Sequence, residues 1–473
     1  EAFGREKKYG LRKHLVDFLL HPVAEHKRHL GMRAPTVLAV GFALTILVGA
    51  LVLMLPVSAA DGQITPFLDA LFTAASASCV TGLVTVSTAV HWSVFGKCVI
   101  LLLIQIGGLG FMSVAAIASF VLRRTITLHE RMVMSAGLNL SDGGGIVRLT
   151  RRVLFGTFII EGTGAVLLSC RFVPHYGFPK GITMGVFHAV SAFCNAGFDL
   201  MGTPDDPFQS LIGWAEDPLV NITLMALIVL GGLGFFVWSD VWDKHSFCRL
   251  RLHTKIVLTA TAGLLLFGFG WTLLFEWSNP ATLGAFDTPH KLLAAAFESV
   301  TLRTAGFNTI DLGALTGPSQ AVSCLLMFIG GSPGSTAGGI KTVTAAVLVL
   351  TAISAFCGRT TVSAFGRTIA PRSIMNAVTL LMAGGVLCLI GACAIAGIED
   401  APFHQCLFEA VSAFGTVGVS MGLTPTLAAA SRVILIVMMY MGRVGVLTLG
   451  VAVFMRRREP PRLKYPDADV FIG

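Results

Sequence analysis

Charge is scarce in this sequence. Of 473 residues only 13% are Asp, Glu, Lys or Arg, whereas 54% are hydrophobic and the mean hydropathy is +0.77. A soluble domain carries about a quarter charged residues, so this chain cannot cover a water-facing surface. That excludes an ordinary soluble enzyme and predicts a polytopic, all-α membrane protein. Cysteine pairing is also lacking. The ten Cys stand singly, with no CxxC and no His at metal-ligand spacing, and they read as small apolar residues of a membrane core. Catalytic groupings are missing too. There is no HExxH, Ser–His or Asp pair inside the apolar stretches, and His188 has no nucleophile at a meaningful spacing. A membrane-embedded enzyme is therefore disfavoured. No cleavable signal peptide is evident, because the basic stretch 1–35 precedes an ordinary full-length span.

The charges that are present are ordered. The net charge of +8 could suggest nucleic acid, but 26 of the 34 Lys and Arg fall in five clusters, at 1–35, 123–152, 244–255, 359–372 and 456–464. The intervening loops, such as 200–218, are acidic or neutral. This alternation is the positive-inside pattern. It predicts no nucleic-acid partner, a multi-pass protein of the plasma (inner) membrane, and both termini in the cytoplasm. Apolar stretches at 36–57, 94–121, 152–174, 219–242, 254–276, 318–350, 374–398 and 430–455 are each long enough to cross about 30 Å of hydrocarbon, giving eight expected spans.

Each pair of spans encloses a shorter apolar segment, too short to cross, that reads as a re-entrant half-helix. These segments are FTAASASCVTGL (72–83), FHAVSAFCNAGF (187–198), FESVTLRTAGF (297–307) and FEAVSAFGTVGV (408–419). All begin with Phe and carry a glycine near the end: Gly82, Gly197, Gly306 and Gly418, spaced 115, 109 and 112 residues apart. Such spacing is an internal repeat. The expected organisation is a cytoplasmic tail 1–35, repeats at 36–121, 150–244, 254–350 and 372–455, and a tail 456–473. Units that all start and end inside repeat in parallel around an axis normal to the membrane. Irregular backbone at membrane depth must be buried or line a water-filled path, so a central pore in fourfold pseudosymmetry is expected.

The four turns carry no carboxylate or imidazole beside the glycine, apart from Asp199 two residues beyond Gly197. What they share is backbone. Glycine opens angles closed to other residues, carbonyl rings can replace an ion's hydration shell, and half-helix C-termini favour a cation. Carbonyls without charged side chains suit a weakly hydrated monovalent ion better than Mg²⁺.

The motifs CVTGL, CNAGFD, RTAGFNT and FGTVGVSMG, with the fourfold arrangement, resemble the Trk/Ktr/HKT superfamily of potassium transporters, most of all its Ktr-type membrane subunits. The resemblance covers the chain from about residue 36; Trk-type subunits carry two further spans before the first repeat. It implies that K⁺ meets carbonyls of Val80, Thr81 and Gly82; Asn195, Ala196 and Gly197; Thr304, Ala305 and Gly306; Thr416, Val417 and Gly418. Within HKT relatives a Ser at the first glycine goes with sodium preference, and all four positions are Gly in this sequence. The resemblance further implies a homodimer, a cytosolic nucleotide-binding regulatory ring of the KtrA type, Na⁺ as a possible activator, and no organic cofactor in this chain.

One stretch, FIGGSPGSTAGGIKT (328–342), looks like a phosphate-binding loop, but Ile340 intervenes before Lys341 and Thr342 and no strand precedes it. A broken helix fits better, because Ser332-Pro333-Gly334 stops a helix and Ala337-Gly338-Gly339 cannot sustain one. In the family the corresponding segment is an intramembrane gating loop, which assigns Gly331, Ser332, Pro333, Gly334, Ser335, Thr336, Ala337, Gly338, Gly339 and Lys341 to a gate spanning 330–342. Intramembrane charge is costly and functional by default. Arg443 reads either as a cavity cation that holds this loop or as a structural anchor, and Lys341 has the same two readings. Glu298 and Glu409, each next to a half-helix Phe, read as N-terminal dipole caps. Arg303 is expected to brace the third turn from behind. Glu161 has no obvious partner, and the GGLG pairs at 107–110 and 231–234 are expected to allow close helix packing.

Overall fold

The computed structural model describes residues 34–110, 146–446 and 448–450. Expectations for the two tails, for the part of the basic cluster 123–152 before residue 146 and for the ends of the second and last spans lie outside these residues.

One element order occurs four times: a long helix, a short helix ending at a turn, and a second helix. The first unit has α1 (Ala34–Leu53), α2 (Phe67–Cys79) and α3 (Val94–Leu109). The second has α4 (Ile146–Tyr176), α5 (Phe178–Phe193), α6 (Pro218–Leu233) and α7 (Phe235–Lys244). The third has α8 (Leu252–Glu276), α9 (Thr288–Thr301), α10 (Gly317–Phe328) and α11 (Thr342–Phe356). A short hairpin, β1 (Ser363–Ala364) with β2 (Arg367–Thr368), precedes the fourth, which has α12 (Pro371–Ile398), α13 (Phe403–Gly415) and α14 (Ala429–Val444).

Thr36–Leu53, Leu149–Tyr176, Leu252–Glu276 and Pro371–Ile398 are long and apolar enough to cross a membrane, and only 22–44% of their most apolar windows is buried by protein. The rest is apolar surface suited to lipid. The second span of each unit is interrupted: at 318–350 this is the broken helix expected there, whereas the other three were expected from hydropathy to be continuous. At 219–242 the chain bends by 92° between α6 and α7. At 318–350 it breaks over residues 329–341, while α3 and α14 stop at Gly110 and Gly445. Hydropathy averages over a glycine and so misses the breaks at Gly110, Gly234 and Gly445. Gly110, Gly234 and Gly445 sit at φ 82°, 93° and 90°, which ends a right-handed helix at little cost only for glycine.

The short helices also start earlier than their Phe markers suggested. Glu298 lies in the last turn of α9 and Glu409 in the middle of α13, so neither caps an N-terminus. The α9 cap is Asp287, whose side chain accepts from His290 N–H. Glu409 instead receives the chain beyond its own turn, accepting from Ser420 Oγ, Met421 N–H (3.3 Å) and Thr424 Oγ1 (2.6 Å). The buried Glu298 carboxyl has no hydrogen-bond partner among the described residues. First and last units are clasped together. Arg432 Nη1 donates to Asp69 Oδ1 at 2.6 Å, and Tyr440 Oη donates to Ala39 O at 2.7 Å.

Candidate functional site

All four short helices end at turns built alike. Val80, Asn195, Thr304 and Thr416 follow the helices in the left-handed region (φ 58°, 58°, 71° and 52°), and two residues on Gly82, Gly197, Gly306 and Gly418 also have positive φ. The residue between them points its N–H back at the helix. Thr81 N–H donates to Ser76 O, Ala196 to Ser191 O, Ala305 to Thr301 O and Val417 to Ser412 O, at 2.7–2.9 Å. A hydroxyl in the helix's last turns holds the outgoing strand. Ser76 Oγ accepts from Gly82 N–H, Ser191 donates to Phe198 O, Thr301 to Phe307 O and Ser412 to Val419 O. Sequence reasoning passed over these hydroxyls. Their signal was present: each lies six residues before its glycine, or five in the shorter third segment.

With the N–H groups turned back, the carbonyl oxygen of each middle residue lies against the glycine of a neighbouring turn. A Cβ on Gly82 would lie 2.6 Å from Ala196 O, one on Gly197 2.8 Å from Ala305 O, one on Gly306 2.6 Å from Val417 O, and one on Gly418 2.0 Å from Thr81 O. The contacts run from first unit to second, third, fourth and back to the first. The twelve carbonyls from Val80–Gly82, Asn195–Gly197, Thr304–Gly306 and Thr416–Gly418 accept no hydrogen bond within the described residues, although the segments are buried except at Gly418. Buried carbonyls are normally paired, and helix C-termini add negative potential. Such an arrangement can take up a dehydrated cation. Beyond the glycines a cavity of about 190 Å³ is lined by Gly82, Gly197, Gly306 and Gly418 together with the carboxylates of Asp199 and Asp311.

The loop 329–341 packs on the other side of the turns. A Cβ on Gly338 would lie 2.2 Å from Thr416 Oγ1, and one on Gly330 3.3 Å from Thr304 Cγ2. Thr336 Oγ1 donates to Phe193 O at 3.2 Å. Arg443 ties the loop to the first unit, donating to Thr336 O and to the carbonyls of Gly107 and Gly108. Lys341 Nζ donates to Ala337 O at 2.6 Å. Arg303 sits at the neck of the loop, with Nη2 2.9 Å from Gly330 O and 3.0 Å from Thr342 Oγ1. Two expectations gain content. Glu161 has a partner in Gln105 Nε2 (3.1 and 3.2 Å). The GGLG glycines seat second helices on short-helix ends, since a Cβ on Gly107 or Gly231 would lie 2.2 or 1.9 Å from Ser78 O or Phe193 O.

A family model described as a cation transport protein, TrkH, matches residues 7–459 of this sequence. The chain belongs to the TrkH family. It is 42% identical over 439 residues to the Ktr system potassium uptake protein B of Bacillus subtilis, covering 93% of this chain and 96% of that protein. It is 40% identical over 441 residues to the potassium/sodium uptake protein NtpJ of Enterococcus hirae, covering 92% and 96%. Its fold matches the crystal structure of the potassium transporter TrkH from Vibrio parahaemolyticus with a TM-score of 0.69 at 16% identity, over 91% of this chain and 87% of that one.

Proposed function

We propose that this TrkH-family chain is the potassium-conducting subunit of an uptake system and has no enzymatic activity of its own. The observation that carries the reading is the closed cycle of glycine–carbonyl contacts with its twelve unbonded carbonyls. In this reading the four turns are a selectivity filter in fourfold pseudosymmetry about one pore, and the units 36–121, 150–244, 254–350 and 372–455 are its repeats. K⁺ is the cargo, stripped of water by carbonyls of residues 80–82, 195–197, 304–306 and 416–418. Residues 330–342 form the gate, held shut by Arg443 and Lys341. The relatives named for potassium uptake support the cargo, and glycine at all four filter positions favours K⁺ over Na⁺. Mixed K⁺/Na⁺ transport is a second reading, favoured by the relative named for uptake of both ions; Na⁺ as an activator belongs with it. The chain works as a homodimer in the plasma membrane with both termini cytoplasmic. A nucleotide-binding ring supplied by a second protein docks on its basic cytoplasmic loops.

Rubidium uptake by cells lacking native potassium uptake tests the cargo. Expression should restore uptake and growth at low potassium; expression without uptake would refute the reading. The gate is tested in liposomes by shortening residues 332–339. Flux should rise and dependence on the regulatory protein should weaken. A shortened chain that folds and conducts less than the parent would make the loop part of the pore wall.

A further inference from the structure

The loop leans on the bend between α6 and α7. Ser332 N–H donates to Gly232 O (3.0 Å), Thr336 N–H to Gly231 O (3.3 Å), and Phe235 N–H, in the first turn of α7, to Gly334 O (2.9 Å). A Cβ on Gly234 would lie 2.7 Å from Pro333 O. The loop cannot leave this position unless the bend or these bonds give way. A ten-residue helix is a stiff rod about 15 Å long, and the middle and far end of α7 are fastened independently. The buried Asp240 accepts from Arg251 N–H (2.8 Å) and Thr254 Oγ1 (2.7 Å) at the start of α8, and pairs with Lys244 Nζ at 2.8 Å. Asp243 pairs with Arg152 of α4 at 3.0 Å. Between the two ends, Trp238 Nε1 donates to Leu230 O (3.1 Å), and its ring lies 5.7 Å from that of Phe193. Burying a carboxylate is costly unless it is well bonded. The Asp240 contacts lie away from the turns and join α7 to the helix that begins the third unit.

We propose that α7 is a lever that holds the loop in place, with Asp240 as the positioning residue that pins its middle to the start of α8. The proposal rests on the reading of 330–342 as the gate. Releasing Asp240 lets the first turn of α7 swing, and the loop then loses the bond from Phe235 N–H to Gly334 O, leaving only the two bonds to Gly231 and Gly232 of α6 on this side. None of the groups involved belongs to the twelve filter carbonyls, so flux changes and ion preference does not.

The test measures rubidium flux, and its ratio to sodium flux, for the full-length chain in liposomes. Asp240→Asn should raise flux about tenfold, the factor equivalent to about 1.4 kcal/mol, with an unchanged ion ratio. Thr254→Val, which removes one of the carboxylate's hydrogen bonds and keeps every charge, should raise flux less. In the chain shortened at 332–339, Asp240→Asn should add nothing. If shortening raises flux but both substitutions leave it at the parent level, the lever is wrong and the gate stands. If shortening itself fails to raise flux, the gate reading falls first. If Asp240→Asn raises flux equally in the shortened chain, or shifts the ion ratio, Asp240 acts on the pore directly and the proposal is overturned. Should Asp240→Asn fail to insert, Thr254→Val decides alone: a parent-level flux refutes the lever.

Discussion

Adding one methyl group at each of the four glycines should damage ion preference in a definite order. The backbone cost is similar everywhere, because φ lies between 69° and 97° at all four and a left-handed non-glycine residue costs about 1–2 kcal/mol. The contacts differ. At Gly418 the new carbon would sit 2.0 Å from Thr81 O and 2.9 Å from Gly82 Cα, so that oxygen must retreat by more than 1 Å to reach the 3.4 Å of ordinary contact. At Gly82 and Gly306 the starting distances are 2.6 Å, and at Gly197 2.8 Å. Binding sites hold their geometry to within about 0.5 Å, and every one of these displacements exceeds that. Gly418→Ala should therefore lose most of the potassium-over-sodium preference, Gly82→Ala and Gly306→Ala less, and Gly197→Ala least. The assay is the ratio of rubidium to sodium flux in liposomes, for variants with the parent's expression and thermal midpoint. A Gly418→Ala protein with the parent's ratio and rate would refute the filter geometry. A reversed order would refute the steric reasoning.

At Arg443 the expected order of flux is parent below Arg443→Lys below Arg443→Gln at matched expression. A unit charge about 7 Å from the ion path at an effective dielectric near 20 opposes a cation by about 2 kcal/mol. Lys keeps that charge but not the fork that reaches both Thr336 O and Gly107 O. A correctly inserted but inactive Gln variant would make Arg443 a structural anchor. Arg432→Ala breaks the clasp to Asp69, where the side chains are 21% and 17% exposed. It should lower stability by about 1.5–3 kcal/mol, the range for a charged hydrogen bond, read as a drop in thermal midpoint in detergent; an unchanged midpoint would show the clasp to be idle.

The fourfold element order was legible because each unit repeats Phe, small residues and Gly at near-constant spacing. The candidate filter positions followed from the same repeat and from the family resemblance. Less legible was everything that depends on one unit meeting another. Val80, Thr304 and Thr416 are β-branched, and no local preference places such residues at positive φ; surrounding packing and the hydroxyls of Ser76, Thr301 and Ser412 hold them there. The Gln105–Glu161 contact joins residues 56 apart on different units, beyond any helical spacing. Glu298 and Glu409 misled because Phe marks the middle or end of the short helix, whereas its start is set by Thr288 after Asp287 and by Phe403 after Pro402.

The cycle of turns has a consequence for how the protein is made. The contact that completes it joins Gly418 to Thr81, and the clasp beside it joins Arg432 to Asp69 across 363 residues. Synthesis proceeds from the N-terminus, so three units are in the membrane before the chain that closes the cycle exists. Until then the first and third turns both lack the fourth as a neighbour. A nascent or prematurely terminated chain is therefore without a finished ring of carbonyls. If the turns are the proposed filter, assembly of the ion path is a late, single event, and a partly made protein offers potassium no complete set of ligands.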